Sequence, residues 1–319
     1  MKFVRSLVLA AVVAGATVAG ARAQGTGLTL GTASLGGTYF VYGGVVASLL
    51  TEKLGVNVST QQTQGPNQNI ILVSRREIDL GMATMGIALE AWEGKKEGWG
   101  GKQYRDVRAL FPMYDTPFHV VALAKSGIKT VADLRDKKVG MGPRAGTCGT
   151  YYPRIFKELG VNVTPRFGQA GDIAGQLGDS LIHAFAFCAG VPIAAFVELD
   201  GTKDVRFFAF TADEIKVIRS AMPELSESTI PKGTYKSQKD DIKTVGIYNF
   251  FVTHKDLDTD LAYRIVKVVM ENNRELMNGH AAAKETLIEN WTKNTFLPFH
   301  PGAIKYFAEK GIDIPDNLR

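Results

Sequence analysis

The chain has little cysteine, scattered histidine and, past its first twenty residues, no long apolar run. Its two cysteines, Cys148 and Cys188, are too few for the disulfide framework that holds together a small, core-poor fold. The five histidines, at 119, 183, 254, 280 and 300, lie far apart. None falls in an H-x-x-x-H or C-x-x-C spacing of the kind zinc sites use. His183 reads as a mid-strand core residue rather than a base. No segment after residue 19 approaches the run of about 20 apolar residues that spans hydrocarbon. Basic blocks with interleaved aromatics are also missing. Of the net charge of +5, three units come from Lys2, Arg5 and Arg22, leaving +2 for the rest, so no nucleic-acid partner is expected.

Catalytic patterns are incomplete in the same way. Thr32-Ala33-Ser34-Leu35-Gly36 nearly forms a G-x-S-x-G nucleophile elbow but lacks the first glycine. Gly140–Gly146 is a loosened dinucleotide loop whose third glycine comes one place late. The strand after it ends Pro165-Arg166-Phe167, without the acid that would hold a ribose. With no nucleophile–base pair, an enzyme is not expected, and neither a cofactor nor a metal.

What is present begins with a leader. Met1–Arg5 is a charged start, Leu7–Ala19 an apolar stretch, and Ala21-Arg22-Ala23 a small-residue cleavage signal. Residues 1–23 therefore read as a signal peptide cut after Ala23, giving an exported, periplasmic product. The remaining length, with 45% apolar residues overall, suits two domains.

The organising stretch is Leu28–Leu50: a short strand, a glycine-rich loop at 31–37, and a helix from Thr38. Such a loop feeding a helix N-terminus is an anion seat, because free N–H groups and the positive end of the dipole face the ligand. The same order recurs. Lys138–Met141 reads as a strand, Gly142–Thr147 as a glycine-rich loop, and the residues from Gly149 as a helix. REIDLGMAT (Arg76–Thr84) and DSLIHAFAF (Asp179–Phe187) hold equivalent places. The expected fold is α/β: two lobes, each with a mainly parallel sheet, facing each other across a cleft. Lobe I is residues 24–120 with 250–319, and lobe II residues 121–249. The crossings, near Phe118–Ala124 and Thr244–Thr253, would act as the hinge. Two facing helix starts with hydroxyls suit capture of a carboxylate: Ser34, Thr38 and Tyr39 on one side, Gly146, Thr147 and Thr150 on the other.

Gly31-Thr32-Ala33-Ser34-Leu35-Gly36-Gly37-Thr38-Tyr39, Thr63-Gln64-Gly65-Pro66-Asn67-Gln68-Asn69, Ile78–Ala83, Val131–Val139 and Gly190-Val191-Pro192 fall in the order of one family. Through them nearly the whole mature chain resembles the TAXI solute receptors of tripartite ATP-independent periplasmic (TRAP) transporters. The resemblance implies a class II-type periplasmic binding fold that closes on a small organic acid, a dicarboxylate or amino-acid-like molecule. It implies delivery of that acid to a TRAP membrane permease with fused subunits. It places ligand contacts at Ser34, Gly37, Thr38, Tyr39, Thr63, Gly65, Asn69, Thr84, Gly146 and Thr147. A ligand sensor of the same fold, signalling to a membrane kinase, is the alternative. A monomer is expected.

Three further expectations come from the residues. Arg144, in the second glycine loop, would pair with a ligand carboxylate through its planar fork. Phe187, with Tyr39, Tyr42, Tyr151 and Met85, would form an apolar wall. Cys148 starts the helix after the first strand of lobe II and Cys188 ends the third strand, a neighbour of the first, so the two either form a disulfide or remain two buried thiols.

Overall fold

The structure, a computed structural model, describes residues 27–319; the expected leader, residues 1–23, lies outside the described residues. The first half runs β1 (Gly27–Gly31), α1 (Thr38–Leu54), β2 (Asn57–Gln61), α2 (Pro66–Ser74), β3 (Leu80–Thr84), α3 (Met85–Glu93) and α4 (Lys96–Trp99). β1 lies between β2 and β3 and is parallel to both. The alternation of Leu28 and Leu30 places both against the core, at 8% and 0% exposure, as a strand's two-residue period requires. α1 stops at Gly55, whose φ of 66° and N–H to Thr51 O make a left-handed C-cap.

The chain then enters β4 (Val107–Leu123). The sequence predicts two strands here, and the structure has one of 17 residues. Pro112 and Pro117, which cannot donate to a ladder, account for the apparent break. Pro112 borders a register shift in the pairing with β10 (Ile242–His254), and Pro117 is the last β4 residue in that pairing. From Phe118 onward β4 pairs instead with β7 (Ala184–Cys188).

The second half repeats the first. β5 (Lys137–Gly140), α5 (Thr147–Glu158), β6 (Val163–Arg166), α6 (Ala170–Gly178) and β7 follow in order. β5 is parallel to both β6 and β7. α7 (Ala194–Thr202), β8 (Val205–Phe208), α8 (Ala212–Ala221) and β9 (Ser226–Ile230) lead to β10. Along the sheet the order is β2-β1-β3-β10-β4-β7-β5-β6. Each lobe thus has three parallel strands in 2-1-3 order, flanked by the long antiparallel strands β4 and β10. REIDLGMAT and DSLIHAFAF end in β3 and β7, the third strand of each set.

The C-terminal part packs as helices α9 (Thr259–Glu271), α10 (Asn273–Gly279) and α11 (Pro301–Glu309). Asp258 caps α9, its Oδ1 accepting the Leu261 N–H at 2.8 Å. The buried stripe of α9 is Ala262, Ile265, Val266 and Val269. Phe111 and Phe251 stack at 4.6 Å in the middle of the sheet. Each such fully buried side chain is worth roughly 1.5–3 kcal/mol.

His183 is not a core residue. β7 begins at Ala184, three residues later than the sequence predicts, so His183 sits exposed on the preceding turn. Its Nδ1 accepts the Lys138 N–H at 3.2 Å.

Candidate functional site

Beyond the carboxyl ends of β1, β3, β5 and β7 lies a pocket of about 450 Å³ of atom-free space, part of it open to solvent. Four helices begin on it. Gly37 and Thr38 start α1, Gly65 and Pro66 start α2, Thr84 precedes α3, and Gly146 and Thr147 start α5; all of these residues line the pocket. None of the four N-caps makes a side-chain hydrogen bond to its own first turn. Each helix therefore turns a partial positive charge, roughly half an elementary charge, toward the same space.

The strands place these helix starts, and small residues let them meet. Gly65 has φ 117°, and a Cβ there would lie 3.1 Å from Gly146 Cα. Gly142, at φ 69°, leaves room for Phe187, whose Cε2 would sit 2.4 Å from an added Cβ. Hydrogen bonds join the two halves around the pocket. Gly171 N–H donates to Leu35 O at 3.1 Å and Ala195 N–H to Gly36 O at 3.0 Å. The Thr38 hydroxyl donates to Gly190 O at 2.5 Å. The Thr84 and Thr147 hydroxyls are 3.1 Å apart.

Of the residues expected at the site, Ser34, Gly37, Thr38, Tyr39, Gly65, Thr84, Gly146, Thr147 and Phe187 line this pocket. Ser34 is 1% exposed, and among the described residues its hydroxyl has no hydrogen-bond partner. Thr63 and Asn69 stand behind the lining. The Thr63 hydroxyl is 2.8 Å from both Thr32 O and Asn69 Oδ1, and Asn69 Nδ2 donates to Thr32 O at 2.9 Å and Met82 O at 3.0 Å. They brace the loop that carries Ser34. Arg144 does not line the pocket: it is exposed, with its guanidinium 4.0 Å above the Phe167 ring. That stacking turns the fork away from the place the sequence reading gave it. Of the expected apolar wall, Tyr39 and Phe187 contribute, whereas Tyr42, Tyr151 and Met85 are buried and do not line the pocket.

Cys148 and Cys188 form a disulfide with a Cα–Cα distance of 5.6 Å, and both line the pocket. The bridge ties the start of α5 to the end of β7, fixing two walls relative to each other.

Sequence reasoning missed Thr116 and Asn249, which form the floor. Asn249, fully buried, accepts the Tyr39 hydroxyl at 2.6 Å and donates to Tyr114 O and the Thr116 hydroxyl, each at 2.6 Å. Burial pushes the Tyr39 hydroxyl well above the usual tyrosine range, so it stays protonated and donating. An asparagine inside the apolar run Tyr248–Val252 is the signal that was available, since a polar side chain in a buried strand must have partners. Every residue lining the pocket is uncharged. Among the described residues, no three His, Cys, Asp or Glu side chains gather as for a metal ion, and no helix is long and apolar enough to cross a membrane.

The architecture is that of solved two-lobed periplasmic binding proteins. The periplasmic binding protein BugD superimposes with a TM-score of 0.56 at 13% identity, over 89% of this chain and 97% of that one. A periplasmic transporter gives 0.55 at 12% identity, over 91% and 99%. The alkanesulfonate-binding protein SsuA from Xanthomonas axonopodis pv. citri, bound to MOPS, gives 0.50 at 16% identity, over 89% and 83%. Identities this low show a shared fold. The sequence itself matches the profile of the NMT1-like family over residues 30–311, most of its length, and the chain belongs to that family.

Proposed function

We propose that this protein is an exported solute receptor, not an enzyme, that captures a small organic carboxylate between its lobes. In this reading it delivers the acid to a TRAP-type membrane permease, as the resemblance to TAXI receptors implies. The observation that carries the reading is the convergence of four uncapped helix starts, from both halves of the chain, on one largely buried pocket. Each contributes about 0.3–1 kcal/mol toward an anion, and up to ~2 kcal/mol where burial is favourable. The unpartnered Ser34 hydroxyl supplies a donor for the anion's oxygen.

A ligand in this pocket touches both lobes at once, so its affinity differs between open and closed arrangements, and binding drives closure. The hinge is assigned to β4 and β10, with lobe I as residues 24–120 plus 250–319 and lobe II as 121–249. Support comes from the ladders. β4 changes partner between Pro117 and Phe118, and β10 leaves β9 at Gly246 and joins β3 at Asn249.

The test is mass spectrometry of small molecules released on denaturing protein purified under native conditions, paired with thermal shift across an organic-acid panel. A bound acid at a hundredfold its Kd should stabilise by about 2.7 kcal/mol. If no acid is released and none in the panel raises the melting temperature, the receptor reading is wrong. Loss of uptake of the identified acid in cells lacking this chain tests the delivery step.

A further inference from the structure

We infer that the pocket selects carboxylates that carry no ammonium group, taking oxo, hydroxy or simple organic acids and rejecting the corresponding amino acids. This rests on the receptor reading above and narrows its ligand class.

The argument is one of sign. Four helix N-termini face the pocket, and each places partial positive charge there. The field favours every negative group of a ligand and opposes every positive one. An ammonium brought into a buried site needs an acidic partner or a set of free acceptors. The lining contains no Asp or Glu. Acids on the surrounding elements are engaged elsewhere: Glu90 with Arg154, Glu224 with the Tyr151 hydroxyl, and Asp115 with the Ser228 hydroxyl.

Three neutral acceptors at the site are already engaged. Asn249 Oδ1 takes the Tyr39 hydroxyl, Thr116 Oγ1 takes Asn249 Nδ2, and Gly190 O takes the Thr38 hydroxyl. A further hydroxyl is uncommitted. Ser34, 1% exposed and lining the pocket, keeps a hydroxyl that can donate to an oxyanion. With this hydroxyl and the helix-start N–H groups as donors and no acid in the lining, the pocket suits an oxyanion better than an ammonium.

Matched pairs test this by isothermal titration calorimetry on the full mature chain: pyruvate against L-alanine, 2-oxoisovalerate against L-valine, and 2-oxoglutarate against L-glutamate, with L-lactate as a hydroxy acid. The expected result is at least about tenfold tighter binding of the oxo acid in any pair that binds, with Ser34→Ala weakening that binding. Thr147→Val serves as a second cavity variant, and circular dichroism checks that both variants are folded. Equal or tighter binding of the amino acid, lost in Thr147→Val, overturns the charge inference and leaves the receptor reading standing. Oxo-acid binding that neither variant weakens also overturns the inference, because the selectivity then arises outside this pocket. No binding by any of these ligands or by the wider acid panel removes the receptor reading, and the inference with it.

Discussion

Glu90 on α3 and Arg154 on α5 pair across the two halves of the chain, two turns or so behind the helix starts that face the pocket. Two bonds join them, one of them Arg154 Nη2 to Glu90 Oε2 at 3.3 Å. The Glu90 side chain is 5% exposed and that of Arg154 27%. Burial alone would lower the Arg154 pKa; its pairing with Glu90 outweighs this and raises it. Arg154→Met keeps the bulk of the side chain and removes the charge, leaving Glu90 buried without its partner. A stranded carboxylate either remains charged at high cost or takes up a proton. Protonation sets the ceiling: at pH 7 it costs about 2.7 pH units relative to a free glutamate, at about 1.36 kcal/mol each, or about 3.7 kcal/mol. At pH 5 the same step costs about 1 kcal/mol.

The expected deficit of Arg154→Met in urea unfolding is thus up to about 3.7 kcal/mol at pH 7, falling to about 1 kcal/mol at pH 5. The sign follows from linkage. A buried carboxyl without its cation is easier to keep neutral than charged, so in the variant stability present at low pH is lost as pH rises. Adding Glu90→Gln should recover most of the deficit at pH 7, because a neutral amide has no charge to strand. Glu90→Gln alone should cost less than Arg154→Met, since Arg154 reaches solvent and has Glu97 3.9 Å from its Nε. A deficit under 1 kcal/mol at pH 7, or one that does not change between pH 7 and pH 5, would refute the reasoning.

Four other outcomes are expected. Gly65→Ala imposes a side chain on φ 117° against Gly146; it should weaken ligand binding at least tenfold, on the order of 1.4 kcal/mol. Gly44→Ala, with nothing within 4 Å of its Cβ, should leave binding unchanged in the same titration. Replacing both Cys148 and Cys188 by serine opens a closure of 40 residues and should lower unfolding stability by about 4 kcal/mol in the chain-entropy model. An equal stability in denaturant would argue against that. Burial holds His119 neutral, its pKa lowered to about 3. Its unfolded form gains a proton near pH 6.5 and its folded form only near pH 3, so it should remove up to about 1.4 kcal/mol per pH unit as pH falls through that window. His119→Phe should flatten this limb of the stability–pH curve, and an unchanged slope would count against the assignment.

Much of the architecture was legible in the sequence because it is written in local patterns. Leu28 and Leu30 alternate into the core, glycines open the loops before α1 and α5, and the order of strand, loop and helix repeats in the second half. Those patterns also pointed to Ser34, Thr38 and Thr147, since helix starts after strand ends are marked by small and hydroxylated residues, whereas Thr84 came from the family resemblance. Other features depend on partners distant in the chain. Arg144 looked free to reach a ligand, but Phe167, brought beside it by the fold, holds its guanidinium instead. β4 read as two strands because its prolines end local pairing, although its partners on either side carry it straight through both halves.

The chain order and residue chemistry alone determined that this is a two-part α/β protein with two glycine-rich helix starts. Only the tertiary structure decided that four such starts meet at one pocket, that Asn249 and Thr116 close its floor, and that no charged side chain joins them. The reason is physical: helix termini are set by nearby residues, whereas the field inside a cavity depends on every group that packing brings to it or turns away.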